Sequence, residues 1–145
     1  MNKIIIKIIV ITLFSRGKTV ALTCTTGLSC LQYDPLRAET VHHWTGIQDG
    51  RFTNEQIVKK IQSNEWFSAA RDRILKDDVL IIDEISMLSE KLLDQIECIY
   101  RHIRDQNKIF GGIQRIGVGD FRQLVPIPYP CSYPIPIRRA RKLLF

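Results

Sequence analysis

The sequence predicts an α/β fold in which helices cover both faces of a mostly parallel sheet. Three observations carry this expectation. Helical and strand-like segments alternate along the chain. The continuous apolar run Val79 to Ile82 reads as a central parallel strand buried on both sides. A second short strand, with Ile113, Ile116 and Val118, follows an amphipathic helix, so the two strands are expected to be joined by a right-handed crossover.

Taken in order, Ile4, Ile5, Ile8, Ile9 and Leu13 recur at helical spacing, but their β-branched content suits a strand equally well, and periodicity leaves this segment undecided. Ser15, Arg16 and Gly17 read as a turn. Val20 to Leu22 begin a strand that runs into a hydroxyl-rich loop, Thr23 to Gly27, whose glycine is free to take positive φ. The loop is either a plain strand-ending turn or a set of donors for phosphate oxygens. Thr53-Asn54-Glu55-Gln56 is a capping box ahead of a helix with Ile57 and Ile61 on its inner face, which Trp66 and Phe67 extend. Ser89 is placed to cap the next helix, where Leu92, Leu93, Ile96, Ile99 and Ile103 repeat at three- and four-residue steps. Arg101, His102 and Arg104 suit its negative C-terminal end, and Phe110-Gly111-Gly112 is expected to break it. From Pro128 onward, prolines and the basic stretch Arg138 to Lys142 predict an irregular tail over 128–145, leaving 1–127 as one domain.

Composition narrows the function classes. The 145 residues are 45% hydrophobic and 25% charged, with a net charge of +6, which fits one globular domain and a polyanionic partner, or a solvated basic face. Four cysteines without C-x-x-C spacing point away from a zinc site or a disulfide scaffold and towards a reducing compartment. The apolar N-terminal run resembles a signal peptide, but Lys7 splits it and no small-residue cleavage site follows before Arg16 and Lys18. It is also shorter than the roughly 18 to 20 apolar residues that span a bilayer, so no membrane partner is expected.

Three constellations carry chemistry. Asp83 and Glu84 stand where the buried strand emerges at its C-terminal end, the place open α/β sheets put their ligands. In nucleotide hydrolysis such a pair divides the work, the aspartate holding Mg²⁺ through water and the glutamate polarising the water that attacks the γ-phosphate. The alternative is a D-E turn cap. Gly119 to Leu124, G-D-F-R-Q-L, follows another strand and is expected beside that pair, with Gln123 able to sense a γ-phosphate. Thr40 to Ile47, T-V-H-H-W-T-G-I, mixes hydroxyl, imidazole and indole groups without a clear helical period. Trp44 either stacks on a base or packs in the core with its N–H satisfied.

These residues resemble a family. T-C-T-T-G-L-S-C, T-V-H-H-W-T-G-I, L-I-I-D-E-I-S-M-L, F-G-G-I-Q and G-D-F-R-Q-L occur in the order found in petite-integration-frequency (PIF-type) DNA helicases, across about Gly17 to Ile127. The resemblance implies a RecA-like P-loop NTPase sandwich, ATP as substrate with Mg²⁺, and 5′ to 3′ movement on single-stranded or forked DNA. It implies that Asp83 is the Mg²⁺ carboxylate, Glu84 the catalytic base and Gln123 the γ-phosphate contact. Thr25, Thr26 and Gly27 would fall on one DNA-contacting loop, Thr40 and His42 on a second. Nucleus or mitochondrion is the implied location.

The sequence departs from that pattern at the phosphate loop. G-x-x-x-x-G-K-[ST] is missing, and Arg16-Gly17-Lys18-Thr19 directly precedes the strand leading to Thr23, whereas the family's phosphate loop lies about one helix earlier. The segment Asn2 to Phe14 is expected to be that helix. The chain is therefore expected to be an incomplete first motor domain, lacking the phosphate loop and the second motor domain, and inactive by itself. A non-catalytic DNA- or partner-binding module derived from a helicase is the rival expectation.

Overall fold

The computed structural model of the chain describes residues 3–47, 49–63, 67–120 and 122. Trp66, Gln123 and the proline-rich tail fall outside these residues. Among the described residues four strands form one sheet: β1 (Val20–Cys24), β2 (Glu39–Thr40), β3 (Val79–Asp83) and β4 (Gln114–Val118), in the order β2-β1-β3-β4. Every pairing is parallel. β3 lies between β1 and β4 and is buried at all five positions, as its unbroken apolar run requires.

Alternate residues of β1 and β3 serve opposite faces of the sheet. Val20, Leu22, Val79 and Ile81 pack with Ile6 and Val10 of α1 (Lys3–Ser15). Ala21, Leu80 and Ile82 pack on the other side against α3 (Val41–Thr45), α4 (Asn54–Ser63), α5 (Ser68–Lys76) and α6 (Glu90–Ile103). The result is the expected three-layer α/β arrangement.

The undecided N-terminal segment is a helix. Its isoleucines are poor helix formers by propensity, and the burial of Ile6 and Val10, one turn apart, against the sheet outweighs that preference. The outward face stays apolar, with Ile4, Ile8 and Ile11 more than half exposed.

Several helix signals act as read. Thr53 and Gln56 complete both halves of the capping box, Gln56 N–H donating to Thr53 Oγ1 at 3.3 Å and Thr53 N–H to Gln56 Oε1 at 2.9 Å. Ser89 Oγ accepts from Leu92 N–H at 3.2 Å and starts α6.

Other readings need correction. Thr40 to Ile47 is not irregular: Thr40 caps α3, accepting from His43 N–H at 3.3 Å, and Gly46 closes it at φ 72°. Five residues are too few for a period to show. Gly27 does not take positive φ; it opens the short helix α2 (Gly27–Leu31), capped by Thr26. α6 ends at Ile103, before Phe110-Gly111-Gly112, which form a separate turn with positive φ at all three residues. Arg104, rather than only facing its own helix end, donates from Nη1 to the carbonyls of Ile74 (2.6 Å) and Asp77 (2.8 Å), tying α6 to the C-terminus of α5.

Candidate functional site

Parallel strands in register send all their following loops to one edge. Cys24 pairs with both Thr40 and Asp83, and Asp83 with Val118, so Thr25, Val41, Glu84 and Gly119 leave the sheet side by side, with His42 one residue further on in α3. Thr25 N–H donates to the Asp83 carbonyl at 3.2 Å, which fastens the loop after β1 to the end of β3. A Cβ added to Gly119 would stand 2.9 Å from Ser86 N, so the absence of a side chain there lets the loop after β4 lie against the loop after β3. The two loops expected to be neighbours are neighbours. Arg16-Gly17-Lys18-Thr19 sits at the opposite edge, where Thr19 N–H donates to Asp78 Oδ2 at 2.8 Å, just before the paired starts of β1 and β3.

Asp83 is enclosed, its side chain 3% exposed. Its Oδ1 accepts from Glu84 N–H at 2.9 Å. Its Oδ2 accepts from the Tyr33 hydroxyl at 2.8 Å and pairs with the Lys3 ammonium at the first turn of α1. Glu84 is more accessible, 30% exposed, and its Oε1 lies 3.6 Å from Lys3 Nζ. Its backbone is left-handed, φ 56° and ψ 37°, a conformation that costs a non-glycine residue on the order of 1 kcal/mol or more and is held where the surroundings over-determine it. Burial opposes the charge on Lys3, yet the adjacent Asp83 and Glu84 carboxylates hold its ammonium above the usual lysine range. Burial, and then the negative Asp83, push the Tyr33 hydroxyl up, so it stays a donor.

The other half of the edge carries two openings in which hydroxyl and imidazole groups stand among apolar side chains. Thr25, Thr26 and His42 line a cavity of about 100 Å³ with Met87, Leu88, Ser89 and Leu92. Thr25 Oγ1 is buried there without a hydrogen-bond partner among the described residues. Thr40 and His42 also line a groove of about 530 Å³ with His43, Gly46, Ala70 and Arg73. His42 thus links the two openings, and burial lowers its pKa, keeping the imidazole neutral near pH 7. Gly27 lines neither opening. Trp44 takes the core alternative: its indole N–H donates to Asp77 Oδ2 at 3.0 Å and Arg73 lies over its ring.

Lys3, Tyr33 and Arg73 are the site residues that sequence reasoning missed. Tyr33 and Arg73 belong to no motif. Lys3 carried a faint signal, since it and Lys7 recur one turn apart in an otherwise apolar helix. Gln123 lies outside the described residues.

A buried carboxylate beside an accessible one offers hard oxygen donors suited to a divalent cation that keeps most of its waters and uses one or two protein carboxylates. No cluster of three or more metal-ligating side chains occurs among the described residues. Asp83 and Glu84 fit Mg²⁺ by donor chemistry, with Lys3 as the cation their oxygens already face.

Residues 2–134 match the PIF1-like helicase family. The chain belongs to that family. This PIF1-like chain is 46% identical over 110 residues to the ATP-dependent DNA helicase RRM3 of Saccharomyces cerevisiae, covering 76% of the chain and 14% of the relative. It superposes on the crystal structure of Pif1 helicase from Candida albicans with a TM-score of 0.74 and 36% identity, over 85% of this chain and 27% of that one. It also matches Pif1 helicase from Bacteroides in complex with ADP-AlF3 and single-stranded DNA, with a TM-score of 0.64 and 31% identity, over 79% of this chain and 25% of that one. The PIF1-like chain therefore spans only a small part of its relatives' length.

Proposed function

We propose that the chain is part of the first RecA-like motor domain, residues 1–127, of an ATP-dependent DNA helicase that moves 5′ to 3′ on single-stranded or forked DNA, followed by an irregular tail. The observation that carries this reading is the placement of Asp83 and Glu84 on the same sheet edge as Thr25, Thr26, Thr40 and His42. One edge then serves both nucleotide and strand.

Asp83, fixed by Tyr33 and by the Glu84 amide, would be the residue that holds Mg²⁺. Mg²⁺ supplies neutralisation of phosphate charge when bound. Glu84, more accessible than Asp83 and next in sequence, accepts a proton from the water that attacks the γ-phosphate. Gln123, just beyond Asp120, contacts the γ-phosphate. Thr25, Thr26, Thr40 and His42 meet the DNA backbone with neutral donors, and Gly27 lets the strand pass close to the start of α2, since nothing lies within 4 Å of a Cβ built there. Nucleus or mitochondrion is the location proposed with this reading, which the similarity to the yeast DNA helicase supports.

The 145 residues contain no G-x-x-x-x-G-K-[ST], so we propose that they hydrolyse no ATP by themselves. Losing a phosphate clamp costs orders of magnitude in rate. The test is a chimera in which this chain replaces the matching stretch of the Saccharomyces helicase. Glu84→Gln is expected to lower its DNA-stimulated ATPase by about 10² to 10⁴-fold while leaving DNA affinity unchanged. An unaltered ATPase rate removes Glu84 as the base. The second reading, a non-catalytic binding module, is favoured by the pairing of Asp83 with Lys3; it requires that the chimera never hydrolyse ATP while the free chain binds single-stranded DNA.

A further inference from the structure

Lys3 is the first residue of α1 and stands on the functional edge of the sheet. Its ammonium pairs with the buried Asp83 carboxylate, lies 3.6 Å from Glu84 Oε1, and sits 5.2 Å from the centre of the Tyr33 ring. Asp83 Oδ1 is taken by the Glu84 amide, and Oδ2 by Tyr33 and Lys3 together. Two adjacent carboxylates carry a charge of −2, and Lys3 leaves −1. The oxygens a divalent cation would use are thus already shared with a cation that belongs to the chain.

We propose that Lys3 is a tethered counter-cation that competes with a divalent metal ion for Asp83 and Glu84, closing the carboxylate pair until the first turn of α1 moves away. This rests on the reading of Asp83 and Glu84 as the divalent site. A tethered competitor acts at an effective concentration on the order of millimolar or above. The apparent affinity of the metal falls by the fraction of molecules in which the ammonium is withdrawn. Lys7, one turn further on, instead donates to the Asp34 carbonyl at 3.4 Å.

The experiment is Mn²⁺ binding to the 145-residue chain, read from the free-ion electron paramagnetic resonance signal. Lys3→Met is expected to bind Mn²⁺ at least tenfold more tightly than the parent, Lys7→Met equally to the parent, and Lys3→Met with Asp83→Asn no more tightly than the parent. Thermal unfolding adds a second readout: Mn²⁺ should raise the melting temperature of Lys3→Met and leave the parent unmoved. If Lys3→Met does not fold, Lys3→Gln, whose amide still donates to Asp83, carries the same expectation. Equal affinity of the parent and the Lys3 variants, with Asp83→Asn weakening both, overturns the competition and spares the carboxylate site. If Asp83→Asn changes Mn²⁺ binding in no background, the site reading fails and the competition fails with it.

Discussion

The Tyr33 hydroxyl donates to Asp83 Oδ2 at 2.8 Å across fifty residues of sequence, from the turn after α2 to the end of β3. Tyr33 is fully buried, so neither partner has water as a substitute. Tyr33→Phe keeps the ring beneath Lys3 and deletes only the donor. Its expected cost is about 1.5 to 3 kcal/mol, the range for a hydrogen bond to a charged group, measured as a lowered urea midpoint with unchanged slope. A loss below a few tenths of a kcal/mol would mean that Lys3 alone satisfies Asp83.

Asp77 gathers a second buried network behind the sheet. Its Oδ2 accepts from Tyr100 Oη at 2.7 Å and from Trp44 Nε1 at 3.0 Å. Burial raises its carboxyl above the ordinary 3.8, and these hydrogen bonds, with Arg104 and Arg73 nearby, oppose the rise only in part. The folded chain therefore keeps this proton to higher pH than the unfolded chain does. The associated stability is complete below 3.8 and is lost as pH rises through the elevated folded value. Asp77→Asn should flatten that segment of the stability profile and stay within about 1 kcal/mol of the parent at neutral pH, because the amide oxygen still accepts. Asp77→Ala, which orphans a phenol and an indole, should cost about 2 to 4 kcal/mol. Urea unfolding across the acid range checks both.

Trp44 separates structural from DNA-binding roles. Trp44→Phe removes the donor to Asp77 and should lower stability by about 1 kcal/mol. Single-stranded DNA affinity, followed by fluorescence anisotropy, should not change, whereas a base stacked on this indole would lose about 1 to 3 kcal/mol.

The glycines of the F-G-G turn and of the α1–β1 turn make a matched pair. Gly111 has φ 63°, and a Cβ there would stand 2.7 Å from the Tyr100 carbonyl and 2.6 Å from Arg104 Cβ. Gly17 has φ 73° with nothing within 4 Å. Gly17→Ala should cost about 1 kcal/mol for left-handed backbone alone. Gly111→Ala should cost about 2 to 4 kcal/mol, because the clash is with backbone that cannot swing away. Equal losses in urea unfolding would show that the neighbouring turn yields.

Much of this architecture was readable from residue order. Val79 to Ile82 announces a strand buried on both faces because every side chain in it is apolar, and the stop at Asp83 and Glu84 marks the edge at which open α/β sheets put their ligands. The capping box at Thr53 and the seam from Leu92 to Ile103 are local patterns, so they survive folding unchanged. These rules act over at most a few turns of helix or one strand. They were silent where local rules conflict: Asn2 to Phe14 satisfied both periods, and Thr40 to Ile47 was too short to display one.

Only the tertiary structure decided what meets across the chain. The parallel register put Thr25, the start of α3 with His42, Glu84 and Gly119 at one edge and sent Gly17-Lys18-Thr19 to the other. Packing against the sheet made α1 a helix, and that helix delivered Lys3 to Asp83 at a sequence separation of 80. Hydrophobic periodicity encodes which face of an element is buried, and through it the fold class and the carboxylate pair. It does not encode which distant side chain becomes the partner of a buried charge, since that depends on where several elements, each placed by its own packing, happen to converge.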